Sequence, residues 1–276
     1  MADPTLVRDA PELRDGPAPA FGTQAQARRT HPVAHVQPVG VLPAVQSLLY
    51  VLVAALFLMT FTVQPIRIPS SSMEPTLLVG DFLLLDKQSV AGDAGGLLPP
   101  SGIQRGDVVV FHDPVDDPSI HLVKRVIGLP GDRLHLREGV VYLNGKPLRE
   151  SYAVHRAAEA DTFRDDFPLL QTMDAGVDPN WWIRLRGLVH GGELTVPAGQ
   201  YFVMGDNRND SEDSRYWGFV PRNAIVGKPV MIYFSWRAPG SSDAGETDAG
   251  STVRRMVPDR GPTDFARWDR TFRVVR

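Results

Sequence analysis

Val41 to Val63 is an uncharged, largely apolar stretch, densest from Leu48 to Met59, and no second apolar stretch of the chain reaches its length. At about 1.5 Å per residue such a segment reaches across a hydrocarbon layer of roughly 30 Å, and an isolated segment there must be helical to satisfy its backbone. The pattern therefore predicts an uncleaved transmembrane anchor over 41–63 rather than a signal peptide, because nearly forty residues precede it. Beyond it the rhythm changes. Short Val-, Ile- and Leu-rich runs separated by Gly, Pro and Asp predict strands at Phe82–Asp86, Asp107–Phe111, His121–Ile127, Arg133–Arg137, Val140–Leu143, Gln200–Met204 and Pro229–Phe234. Glu138-Gly139 and Asn144-Gly145 are turn signals, so residues 133–149 read as a small meander. The stretches 88–104, 150–192 and 238–252 read as loops or insertions, the last as disordered.

Composition narrows the chemistry. The 276 residues carry 29 Lys+Arg against 32 Asp+Glu, without a basic block suited to nucleic acid. There is no cysteine, so disulfides, thiolate catalysis and cysteine-ligated metals are excluded. The scattered histidines have no metal-binding spacing, and neither a metal nor a cofactor is expected. Residues 1–40, rich in Pro, Ala and Gln, read as a flexible tail. Arg28 and Arg29 before the apolar stretch, against Arg67 behind it, predict an inside N-terminus and a body outside the cytoplasm.

Three polar runs carry candidate chemistry. In Ile68-Pro69-Ser70-Ser71-Ser72-Met73-Glu74-Pro75 the prolines restrain the chain on both sides of the serines. A short pre-shaped connection of this kind can aim a hydroxyl and backbone N–H groups at one point, as acyl transfer requires. Serine needs a base, and lysine serves only if its pKa falls several units. Within His121–Ile127 a two-residue period places Leu122, Lys124 and Val126 on one face and Arg125 on the other. Pattern alone leaves Lys124 either buried between aliphatic neighbours or snorkelling outward. The run Met204 to Gly218 is dense in charge yet ends in Tyr216 and Trp217; there Asp213 and Arg215 can pair, and Ser211 can hydrogen-bond to a lysine amine. His112, His121, His135, His155 and His190 are rival bases, but none has comparably specific flanks, and there is no Gly-x-Ser-x-Gly elbow.

Taken in order, these runs resemble bacterial type I signal peptidase, the serine-lysine leader peptidase family. The resemblance rests on Ile68–Leu77, Gly80-Asp81, Arg105–Phe111, Val123–Asp132 and Gly205–Gly218, with a looser likeness at Arg267-Trp268-Asp269-Arg270. It implies Ser72 as nucleophile and Lys124 as general base. Ser70 and the Ser72 N–H would form the oxyanion hole, Ser211 would orient the lysine, and Asp213 and Arg215 would support that loop. The implied fold is mostly β: a single N-terminal transmembrane helix, then a coiled antiparallel β-sheet body with a variable second lobe. The implied division is a cytoplasmic tail 1–40, an anchor 41–63, catalytic parts 64–132 and 200–276, and a second domain 133–199. The expected partners are exported preproteins cut after small residues, the lipid bilayer and the nearby secretion translocon, with no nucleic acid. The expected location is the bacterial inner membrane. Ser71 departs from the glycine common in that family, and Asn209-Asp210 reverses its commoner order. A relative restricted to one exported substrate would share the same blocks, and an idle binding module would be expected to lose Ser72, Lys124 or Ser211.

Overall fold

The computed structural model describes residues 40–61, 63–87, 90, 102–115, 117–156, 161–237 and 265–275. The expected tail, most of the expected loop at 88–104 and all of that at 238–252 lie outside them. The uncharged stretch does fold as a helix, α1 (Val41–Phe61). The anchor expectation nevertheless needs correction: among the described residues no helix is long and apolar enough to cross a membrane. The described side chains of α1 end at Phe57, and by Val63 the chain has already entered a strand. What was read as one run of 41–63 is thus divided between two kinds of element. The transmembrane part of the expected fold falls with it, as does the single-pass placement in the inner membrane.

The strands all lie in the unit spanning 48–276. In chain order they are β1 (Val63–Arg67), β2 (Asp81–Asp86), β3 (Val108–His112), β4 (His121–Gly128), β5 (Arg133–Arg137), β6 (Val140–Leu143), β7 (Lys146–Pro147), β8 (Val189–His190), β9 (Glu193–Thr195), β10 (Gln200–Met204), β11 (Val220–Pro221), β12 (Ile225–Ser235) and β13 (Arg273–Val274). Among the described residues they form two antiparallel sheets. The larger runs β1-β2-β12-β3-β4-β10-β11, with β13 added against β12. The smaller runs β7-β6-β5-β9-β8.

Alternation along β3 and β4 separates two apolar layers. Val109 and Phe111 join Val126, Val203 and Val220 on one side, while Val108 joins Ile68, Met73, Leu77 and Leu83 on the other. The long strand β12 touches both neighbours β2 and β3 through register shifts, which bend it from one half of the sheet to the other. The meander expected at 133–149 is present as β5, β6 and β7. Its two turns take positive φ at both central residues, Glu138 and Gly139 in one, Asn144 and Gly145 in the other, as tight hairpins of right-twisted strands require.

The stretch 150–192 holds more structure than its sequence suggested. It contains α2 (Thr162–Asp165) and α3 (Pro179–Leu188). Asp178 caps α3 by accepting from Trp181 N, and Pro179 occupies the first turn, where its missing N–H is harmless. Trp181, Trp182 and Leu185 then fall on one buried face and pack with Phe163, Phe167, Phe202 and Phe219 against the smaller sheet. A short helix α4 (Ser214–Trp217) follows β10.

Gly218 closes α4 with φ near +98°, and a Cβ there would stand 2.7 Å from Cε3 of buried Trp181. Gly218→Ala should therefore destabilise the body by about 2–4 kcal/mol, combining left-handed strain with displacement of a packed indole. A chemical-denaturation midpoint compared with wild type measures this.

Candidate active site

The serine run forms a turn closed at its neck by Ile68 N donating to Asp81 O (2.9 Å) and Gly80 N donating to Ile68 O (3.0 Å). Within it Glu74 N donates to Ser71 O and Leu77 N to Met73 O, two turn contacts that accompany the burial of Met73 and Leu77 in the apolar layer beneath. Their burial fixes the direction of Ser72, whose side chain lies against β4. Lys124 Nζ and Ser72 Oγ are 2.8 Å apart. Both residues are buried, at 5% and 7% exposure, although 52 residues of chain separate them. Of the two orientations open to Lys124, the structure has the inward one, between Leu122 and Val126.

That environment determines its charge. Removal from water lowers the Lys124 pKa to about 8, with Asp213 and other acidic neighbours opposing the shift and Arg215 adding to it. A substantial fraction of the amine is then neutral in mildly alkaline solution, and a neutral amine can accept a proton. Ser70 is exposed, with its Oγ 3.4 Å from that of Ser72. Ser71 points elsewhere, donating to Asp210.

The loop after β10 forms the facing wall. Asp213 is fully buried and receives Arg215 through Nε (2.8 Å) and Nη2 (2.8 Å), together with Ser211 Oγ (2.9 Å) and Gly205 N (3.1 Å). Burial raises its carboxyl pKa, but Arg215 and these donors outweigh burial and hold it below the usual range. Ser211 donates to Asp213 and lines the same cleft as Ser72 and Lys124. Gly205 is where the two walls meet: a Cβ there would lie 2.3 Å from Ser211 Oγ and 2.5 Å from Ser72 O. Only a residue without a side chain permits that approach.

Further polar groups that sequence reasoning gave no role also converge here. Arg125, on the opposite face of β4 from Lys124, pairs with both oxygens of Asp206 (2.8 and 2.7 Å) and lies over the Tyr152 ring. Thr76 Oγ1 donates to Asp206 Oδ2 (2.6 Å), and Asn207 N donates to Ser72 O (3.0 Å). Arg208 forms a two-point pair with Glu150 and donates to Gly205 O. Strand alternation alone placed Arg125 opposite Lys124; its partner 81 residues away had no local signature. The cleft encloses about 800 Å³, and Asp161, Arg164 and Val177 from the 150–192 stretch form part of its lining. None of the five histidines considered as bases lines it. Among the described residues no group of three or more metal-ligating side chains is present.

A buried serine hydroxyl beside a partly neutral amine, with small polar groups around it, is arranged for nucleophilic acyl transfer. The family profile described as "Signal peptidase, peptidase S26" matches residues 41–236. Signal peptidase I of Pseudomonas fluorescens is 38% identical over 216 residues, covering 70% of this chain and 72% of its own. The Pseudomonas aeruginosa counterpart is 35% identical over 216 residues, covering 72% and 74% respectively. Signal peptidase I of Aquifex aeolicus is 33% identical over 244 residues, covering 76% of this chain and 91% of its own.

Asp213→Asn would leave the Arg215 guanidinium buried without its countercharge. The expected loss is about 3–5 kcal/mol of unfolding free energy, read from urea denaturation.

Proposed function

The chain belongs to the signal peptidase family, peptidase S26, and from that premise we propose that Ser72 is its nucleophile and Lys124 the general base. The protein is a serine endopeptidase of the signal peptidase I type working by a Ser–Lys mechanism. Family membership brings preprotein substrates and a membrane context with it. The single observation supporting the residue assignment is the 2.8 Å separation of Lys124 Nζ and Ser72 Oγ at a buried site.

In this reading neutral Lys124 takes the Ser72 proton as Oγ attacks the scissile carbonyl. The developing oxyanion is met by Ser70 Oγ and the Ser72 N–H. Collapse expels the mature chain's amine, which carries away the proton held on Lys124 as the acyl-enzyme forms. Lys124, neutral again, takes a proton from water, whose oxygen attacks the ester; return of that proton to Ser72 Oγ releases the signal peptide as a carboxylic acid. Ser211 and Arg215 act through Asp213: they hold the charged wall that faces the lysine without touching the reacting carbonyl.

Residues 133–199 form the second lobe in this scheme, and its 161–178 portion lends one side of the cleft. Cleavage after small residues is the expected specificity, with the enzyme working close to the secretion translocon, where its substrates emerge.

Purified full-length protein in detergent should cut a preprotein at its signal-peptide boundary, and Ser72→Ala or Lys124→Ala should each reduce kcat at least about a thousandfold. Full activity of Lys124→Ala would remove the lysine from its role. The sign of the pH dependence is set by lysine's lowered pKa: the amine is protonated and inactive below it, and neutral above it. The kcat/KM profile should therefore rise with pH through about 8. A flat profile from pH 5 to 9 would contradict this mechanism.

A further inference from the structure

Thr76 stands four residues beyond Ser72 in the same turn and is held at two points. Its hydroxyl donates to Asp206 Oδ2, and its carbonyl accepts from Arg270 Nη2 at 3.0 Å. The second tether comes from a segment 194 residues further along the chain. Arg270 ends a 3-10 turn, Trp268–Arg270, and is itself buried. Its guanidinium also pairs with Asp81, Nη2 to Oδ2 at 2.6 Å and Nε to Oδ1 at 3.2 Å. Asp81 is fully buried and closes the neck of the nucleophile turn, where its carboxylate accepts from Leu78 N (2.9 Å) and Ser235 Oγ (2.6 Å).

We propose that Arg270, seated on Asp81, is a positioning residue for the reaction: by holding the Thr76 carbonyl it keeps the turn closed and Ser72 Oγ against Lys124. The inference rests on the Ser72–Lys124 reading above. Nη2 of the planar guanidinium reaches both the Asp81 carboxylate and the Thr76 carbonyl, while Nε adds a second contact to Asp81 that fixes the plane of the group, a two-point hold that a lysine ammonium lacks. The segment bearing Arg270 is fixed independently. Arg267 N donates to Ser235 O and Phe272 N to Ile232 O, which tie it to β12 on both sides of the 3-10 turn. Arg270 therefore approaches Thr76 from a rigid base, and Asp206 holds the same residue through another atom.

The alternative role is purely structural, with Arg270 serving only to neutralise buried Asp81. The two roles differ in what they do to the folded enzyme. If Arg270 positions the turn, loosening its hold moves Ser72 from Lys124 and admits water to the amine. The ammonium is then better solvated, and its pKa returns toward the ordinary lysine value.

The test uses full-length Arg270→Lys and Asp81→Asn in detergent, with wild type, Ser72→Ala and Lys124→Ala beside them. Melting curves come first, then kcat, KM and the pH profile on one preprotein. The expected result is folded variants with kcat at pH 8 lowered about tenfold, KM changed less than about twofold, and the rising limb moved to higher pH. Folded variants with wild-type kcat and an unmoved limb would overturn the proposal, as would variants that melt below the assay temperature, since Arg270 would then hold the fold rather than the turn. The dyad controls keep the two readings apart. Activity surviving in Ser72→Ala or Lys124→Ala sinks the catalytic assignment, whereas inactive controls beside an unaffected Arg270→Lys sink only the positioning role.

Discussion

The structure depends on keeping water away from one amine. A lysine in solution is protonated at neutral pH, and as an ammonium it can donate hydrogen bonds but cannot remove the serine proton. Lys124 escapes this because β4 places it between Leu122 and Val126, against the apolar layer built from Val109, Phe111, Val203 and Val220. The same burial that lowers the Lys124 pKa also makes every neighbouring unpaired charge expensive. The site can therefore contain other ionised groups only if each is matched. Asp213 with Arg215, Asp206 with Arg125, Glu150 with Arg208 and Asp81 with Arg270 satisfy that requirement.

These pairs are weak evidence for stability, since well-packed apolar side chains of similar volume often do as well. Their geometry points to a different contribution. Asp213 lies behind Ser211 and Gly205; Asp206 and Arg270 meet at Thr76; Arg208 reaches Gly205 O. Each pair ends on the nucleophile turn or the facing loop. Directional, two-point contacts fix the position of a backbone in a way that non-directional apolar contacts do not. The Ser72 hydroxyl sits on a short turn whose Met73 and Leu77 are anchored in the apolar layer, and these polar pairs hold the same turn from its other sides.

Legibility in the sequence followed the range of the interaction. The strand carrying Lys124 was readable because alternation has a period of two residues, and the hairpins of 133–149 because Glu138-Gly139 and Asn144-Gly145 encode their turns locally. The Asp213–Arg215 pair was visible for the same reason, its members being two positions apart. Arg270 with Asp81 was not, because 189 residues separate them and neither has a flank that names the other. Helix α3 was overlooked for a different reason. Asp178-Pro179 is a helix start, and Trp181, Trp182 and Leu185 share a face, but charged residues and a glycine within so short a span masked the period. At the other extreme, the uncharged run of 41–63 was read as one element because hydropathy does not mark the place where a helix gives way to a strand.

That contrast bears on how such a site can vary. The 150–192 stretch contributes lining to the cleft through Asp161, Arg164 and Val177, but the Ser72–Lys124 contact is supported from the larger sheet and its attached turns. Changes in that stretch can therefore alter the cleft wall while the Ser72–Lys124 contact is retained. Changes to Gly205 or Thr76 have no such latitude, because backbone approach and a two-sided tether leave neither residue an alternative position. The cleft thus has two walls of different construction: one is drawn from the 150–192 stretch, and the other is fixed by the contacts that keep the Lys124 amine buried and the Ser72 hydroxyl beside it.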